Sequence, residues 1–233
     1  MKKIFALLPM VAAFALCGCG DNKKEEEQGE GENLPMTQEQ AKAKVKELGE
    51  TEGFEISFKY TSSGSESSEM TEATIGSKGG YYWVFAGENS KTMWQIENEN
   101  VHIYSYDSES AKFSKVYTYT KEYLEENGLM TGYSFDIYSP FIYMGNMYDG
   151  FGGYHKVKDT TFVGRSATEY QLKESNGVAY VQAKVIIDKE TGITLYWGVS
   201  GADIQGQSGS ASYEVTSFKT GDQVSVPAIK TEA

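Results

Sequence analysis

Cysteine is almost absent from this chain of 233 residues, and both copies, Cys17 and Cys19, lie in its first nineteen positions. Beyond them there is no disulfide, no thiol nucleophile and no thiolate metal site. Histidine is nearly as scarce: His102 and His155 stand far apart, which leaves neither a general base for a hydrolase triad nor a transition-metal site. Arg165 is the single arginine, and 33 carboxylates face 21 basic residues, giving a formal net charge of −12. A chain this acidic has no basic face for phosphates, which excludes nucleic acid as a partner, and it does not adsorb to anionic head groups. There is no phosphate-cradling glycine loop. The sequence calls for no cofactor and no metal, and it reads as non-enzymatic.

Long apolar runs are also missing, with one short exception. Lys2 and Lys3 precede an apolar stretch over residues 4–16. A bilayer span needs about 20 apolar residues, so this one reads as the core of a secretory signal peptide. It ends Leu16-Cys17-Gly18-Cys19-Gly20, which resembles a bacterial lipobox. The small Gly18 before Cys19 makes Cys19 the residue expected to carry acyl chains, palmitate among them. Cleavage is expected after residue 18. Two or more acyl chains anchor stably where one does not. The expected address is the cell membrane or outer membrane, facing the periplasm or the cell exterior.

Residues 19–36 have almost no apolar side chains and are rich in Glu, Lys and Gly. Such a stretch cannot bury enough surface to order itself, so it reads as a flexible acidic tether. Lys24-Glu25-Glu26-Glu27 within it is first a solvated charge run, and it also resembles a surface-export signal of some bacterial lipoproteins. Residues 37–233, about 195 in number, suit one domain.

That domain opens with a predicted helix. Thr37 and Gln40 form a capping box, Ala41, Val45 and Leu48 form one apolar stripe, and Gly49 is the expected stop. The period then changes to two. Phe54, Ile56, Phe58 and Tyr60 alternate with polar residues, and a series of short strand-like runs follows to Lys219, punctuated by Gly, Asn and Asp. Asp107, Ser108 and Glu109 read as a turn and not as a calcium loop. The expected fold is α+β, mainly β: a curved antiparallel half-barrel sheet wrapped around one or two short helices.

Residues 132–154 are the unusual part. Tyr133, Phe135, Tyr138, Phe141, Met144, Met147, Tyr148 and Phe151 sit in a stretch whose only charges are Asp136 and Asp149. Ser139-Pro140 could start a short helix there. The stretch reads either as a core plug or as the lining of a cavity for an apolar ligand, a task for which methionine and aromatic side chains adapt well. Trp83 and Trp94 leave a third reading open, stacking on sugars. Trp197 alternates with Ile193 and Leu195 and reads as core.

The order of these pieces resembles a known family. After the opening helix and the first strands come Met93-Trp94-Gln95-Ile96, Val101-His102-Ile103-Tyr104, Thr161-Phe162-Val163-Gly164-Arg165 and the turn Asp188-Lys189-Glu190-Thr191-Gly192. Together they resemble the outer-membrane lipoprotein carrier (LolA/LolB-like) superfamily. That resemblance implies an incomplete barrel around helices that holds acyl chains or other hydrophobic groups. The carrier's lid-tying arginine on an early strand has no counterpart, because residues 81–85 read Tyr-Tyr-Trp-Val-Phe. The expected partners are a membrane, through Cys19, and a lipid or other hydrophobic small molecule. An envelope protein is the alternative, for an interaction module with a packed interior; a surface glycan is the other.

Overall fold

A computed structural model describes residues 36, 38–63, 68–87, 90–127, 155–175, 179–203 and 208–230. Helix α1 (Gln38–Thr51) comes first. Ala41 and Val45 of its stripe are buried and Leu48 is half-buried, as the periodicity predicts. The predicted stop at Gly49 is wrong, since the helix runs through it. Gly49 faces the core and is merely tolerated there, at a cost of about 1 kcal/mol relative to alanine. The helix ends where a left-handed residue is required, at Gly53 (φ +83°). The amides of Glu52 and Gly53 both donate to the Leu48 carbonyl, at 3.0 and 2.8 Å.

The next six elements form a meander: β1 (Phe54–Ser63), β2 (Ser68–Lys78), β3 (Tyr81–Ala86), β4 (Ser90–Glu97), β5 (Asn100–Asp107) and β6 (Lys112–Thr120). A one-and-a-half-turn helix, α2 (Lys121–Glu126), follows, capped by the Thr120 hydroxyl accepting from the Tyr123 amide at 3.1 Å. The sequence reading contained no helix here. A second meander comprises β7 (His155–Phe162), β8 (Arg165–Ser175), β9 (Ala179–Asp188), β10 (Thr194–Asp203) and β11 (Ser208–Thr220). β1 pairs with β11, so the two meanders make one antiparallel sheet in the order β6-β5-β4-β3-β2-β1-β11-β10-β9-β8-β7. The sheet is curved and unclosed, as expected.

Register assigns the two faces, because residues opposite each other in an antiparallel pair share a face. On the inner face one row runs Tyr60, Tyr213, Trp197, Val185, Tyr170. Another runs Tyr82, Trp94, Ile103, Tyr117. Four breaks in register bend the sheet. They leave one extra residue each at Thr216, Val116, Leu195 and Val157. Val116 and Val157 lie on the two outermost strands, and the bulge explains why each apolar side chain faces water.

The outer face of the first meander has a smaller core of its own: Trp83, Met93, Tyr104 and Phe113. What covers it is the end of the chain. After a 3-10 turn (Gly221–Gln223), residues 224–230 cross β2 to β5 as a strap and finish beside β6. The Phe113 amide donates to Ala228, and the Lys230 amide donates back to Phe113, at 2.8 and 2.7 Å. Val224 is buried under the strap. Lys78 holds its start, donating to the carbonyls of Gly221 and Val224 at 2.9 and 2.8 Å. The Lys230 ammonium pairs with Asp107 at its end.

That last pair carries a pH signature. The Lys230 hydrogen bond, helped by the amides of Glu109 and Ser110, lowers the Asp107 carboxyl from 3.8 to about 2. A carboxyl depressed by folding contributes stability that is present above its unfolded value and lost as pH falls through its folded one. The end of the strap is therefore expected to loosen between pH 4 and 2. The protection factor of the Lys230 amide should fall in that window, and Asp107→Asn should abolish the dependence. A protection factor unchanged down to pH 2 would refute the latch.

Candidate functional site: the inner face of the open sheet

The tight turns at 79–80, 98–99, 163–164 and 189–192 all lie at one end of the sheet. At that end the interior is filled. Val45 of α1 and Leu124 of α2 pack with Phe54, Ile56, Trp94, Val101 and Ile193 in one apolar cluster. The turn between β9 and β10 sets the seat of α1. Gly192 there has φ +71°, and a Cβ on it would fall 2.9 Å from that of Ala41, so only glycine allows helix and turn this close.

Asp188 organises the turn. Its Oδ2 accepts from the Thr191 amide at 2.8 Å and from the Thr191 hydroxyl at 2.6 Å. Arg165 reaches the same carboxylate with two parallel bonds, Nε to Oδ1 at 2.8 Å and Nη2 to Oδ2 at 2.9 Å. Nη2 also donates to Glu190 at 2.8 Å, and the guanidinium lies 4.3 Å from the ring of Phe218. Burial works against the charge on Arg165, but the Asp188 hydrogen bond and the Asp188 and Glu190 charges outweigh it and raise its pKa.

Towards the other end the inner face is less covered. Phe58, Tyr60, Val84, Val199 and Ala211 are half-buried there and pack against the same cluster, over the buried Trp197 and Tyr213. Phe58 and Tyr213 have ring centroids 5.0 Å apart, and Tyr82 stacks on Trp94 at 5.8 Å. Burial pushes the Tyr213 hydroxyl well above its ordinary range, so it is a neutral group at any physiological pH. The result is a belt of uncharged, mostly aromatic side chains drawn from β1, β3, β10 and β11. Such a surface can hold an apolar molecule by burial alone.

The sequence reading found half of this belt. Phe58 and Tyr60 were on the predicted apolar stripe of β1. The contribution of Val199, Ala211 and Tyr213 depends on β1 pairing with β11, a contact between residues about 150 apart that no local pattern signals. Cys19, Tyr133, Phe135, Tyr138, Phe141, Met144, Met147, Tyr148 and Phe151 lie outside the described residues. Trp83 and Trp94 are 0% and 1% exposed, so neither can stack on a sugar, and the reason for the glycan reading is gone. Trp197 is core, as expected. His102 is a wall residue of β5, with Nδ1 2.8 Å from the Thr118 hydroxyl and Nε2 3.3 Å from Glu97. His155 is exposed at the start of β7. Among the described residues no group of three or more His, Cys, Asp or Glu could hold a metal, and no helix is long and apolar enough to cross a membrane.

No family model matches the chain, and no curated protein matches it. Solved structures do resemble it. One is a chain of the Pseudomonas aeruginosa MucA/MucB complex, at 11% identity and TM-score 0.33, over 82% of this chain and 59% of that one. The match thus spans less than two thirds of that protein. A second is described as an outer membrane lipoprotein-sorting protein domain from Vibrio parahaemolyticus, at 10% identity and TM-score 0.25, covering 83% of this chain and 95% of that one. A third is a LolA superfamily protein from Nitrosomonas europaea, at 10% identity and TM-score 0.22, covering 79% and 93%. The third is described by the name of the superfamily that the order of elements resembles. With identities and TM-scores this low, no argument about function rests on these likenesses.

Proposed function

We propose that this chain is a membrane-anchored bacterial envelope lipoprotein, non-enzymatic, that holds an acyl chain or similar apolar ligand on the inner face of its open sheet. The supporting observation is the belt of Phe58, Tyr60, Val84, Val199 and Ala211, left half-covered beside an end that α1 and α2 fill. Cys19 is the proposed acylation site, with residues 1–18 as signal peptide and 19–36 as tether to a single domain of residues 37–233. Cys19→Ala should move the protein from the membrane fraction to the soluble one and abolish incorporation of labelled palmitate. Retention of label would refute acylation at Cys19.

Native mass spectrometry on gently purified protein tests the ligand. A co-purifying lipid-sized mass, or uptake of added fatty acid, is expected. Val199→Glu would place a charge in the belt, and the cost of burying it should weaken retention by at least about tenfold while the circular dichroism of the sheet persists. Wild-type protein that stays free of ligand and ignores added fatty acid would overturn the reading.

A further inference from the structure

Four large apolar side chains are exposed among the described residues: Val116, Tyr117, Tyr123 and Val157. Bulges account for the two valines. Tyr117 and Tyr123 remain, at 59% and 47% exposure, and they belong to one stack. The ring of Tyr117 lies 5.9 Å from Tyr119, and Tyr119 lies 5.5 Å from Tyr123 with the planes 6° apart. Thr120, the residue after Tyr119, fixes this geometry by capping α2.

Carboxylates adjoin the stack: Glu99 lies in the turn after β4, and Glu122, Glu125 and Glu126 lie on α2 with Tyr123; all four are exposed. The Lys121 amide donates to the Glu99 carbonyl at 2.9 Å, which joins that turn to the start of α2. Against these four carboxylates stands Lys121, 4.0 Å from Glu99.

We propose that this corner is a docking surface for a lysine- or arginine-rich segment of a partner protein. A cation is attracted to the face of an aromatic ring, and neighbouring carboxylates add direct ion pairs. The chain already uses the ring chemistry internally on its outer face, where the Lys91 ammonium sits 4.1 Å from the ring of Tyr106. At the corner the rings and the negative charge are present, and the cations are too few. The same charge opposes an anionic lipid surface. This inference does not rest on the inner-face ligand.

The test is fluorescence anisotropy of a labelled octa-lysine peptide titrated with the full mature protein at 0.15 M salt. Tyr117→Ser with Tyr123→Ser should weaken binding by about tenfold, and Glu122→Gln with Glu125→Gln and Glu126→Gln by a similar factor. Glu72→Gln with Glu109→Gln, at the opposite end of the sheet from the turn at 98–99, should change it by less than about twofold, because exposed charges that far away are screened. Circular dichroism confirms that each variant is folded. Tyrosine variants that bind as wild type would reduce the association to net charge and overturn the proposal. So would an absence of binding, or capture by anionic vesicles in place of the peptide.

Discussion

Arg165→Met is expected to lower the free energy of unfolding by about 3–5 kcal/mol, the range for stripping one partner from a buried ion pair. The magnitude follows from what remains. Asp188 is 1% exposed, and without Arg165 its carboxylate keeps only the Thr191 amide and hydroxyl as donors. Lysine is no substitute, since one ammonium cannot make two parallel bonds to Asp188, reach Glu190 and lie flat on Phe218. Urea unfolding followed by far-ultraviolet circular dichroism measures the loss. Arg165→Met in an Asp188→Asn background should cost much less, because the charge left unpaired is gone. A loss below about 1 kcal/mol for Arg165→Met alone would show that the pair behaves as a surface ion pair.

The Arg165–Asp188 pair also supports the binding belt. The Asp188 turn carries Gly192, and Gly192 lets Ala41 of α1 approach. Loosening the turn loosens the helix that fills one end of the interior, so ligand retention on the inner face should fall together with stability. A variant that unfolds earlier yet retains lipid unchanged would separate the seat of α1 from the site.

Residues with a local signature were the ones legible in the sequence. The Asp-Lys-Glu-Thr-Gly turn was read as a turn because its side chains satisfy its own backbone within four residues. The alternation of Phe54, Ile56, Phe58 and Tyr60 was read as one face because a strand repeats every two residues. The opening helix was read from its stripe, but its end was misplaced by four residues, because glycine marks a stop only where φ must be positive, and Gly49 has no such need. Long-range features were not legible. Nothing near Val224, Val226 or Ile229 announces that they cross an outer face, since the strap has neither period and earns its place only by covering Trp83 and Met93. The burial of Trp83 is illegible for the same reason: on β3 it alternates away from the inner face, and what covers it is a segment about 140 residues later.

Gly76→Ala, a change of one methyl group, is expected to unseat that outer core. Gly76 of β2 lies opposite Trp83 of β3. An added Cβ would fall 2.1 Å from two carbons of the indole, well inside contact distance. Neither side can yield cheaply: Gly76 is held by β1 on its other flank, paired with Glu55, and Trp83 is fully buried beneath the strap. Overpacking of this kind costs about 1–3 kcal/mol and sometimes more. The least costly relief is for the indole to swing outward, which lifts Val224 and breaks the Lys78 bonds to Gly221 and Val224. The variant should therefore lose stability and also show faster amide exchange over residues 224–230, while β9 and β10 keep their protection. Trimming Trp83 to leucine in the same chain should recover part of the loss, since it removes the clash. Uniformly faster exchange over the whole sheet would mean that strap and sheet unfold as one unit, and unchanged stability would mean that Trp83 does not occupy its seat against Gly76.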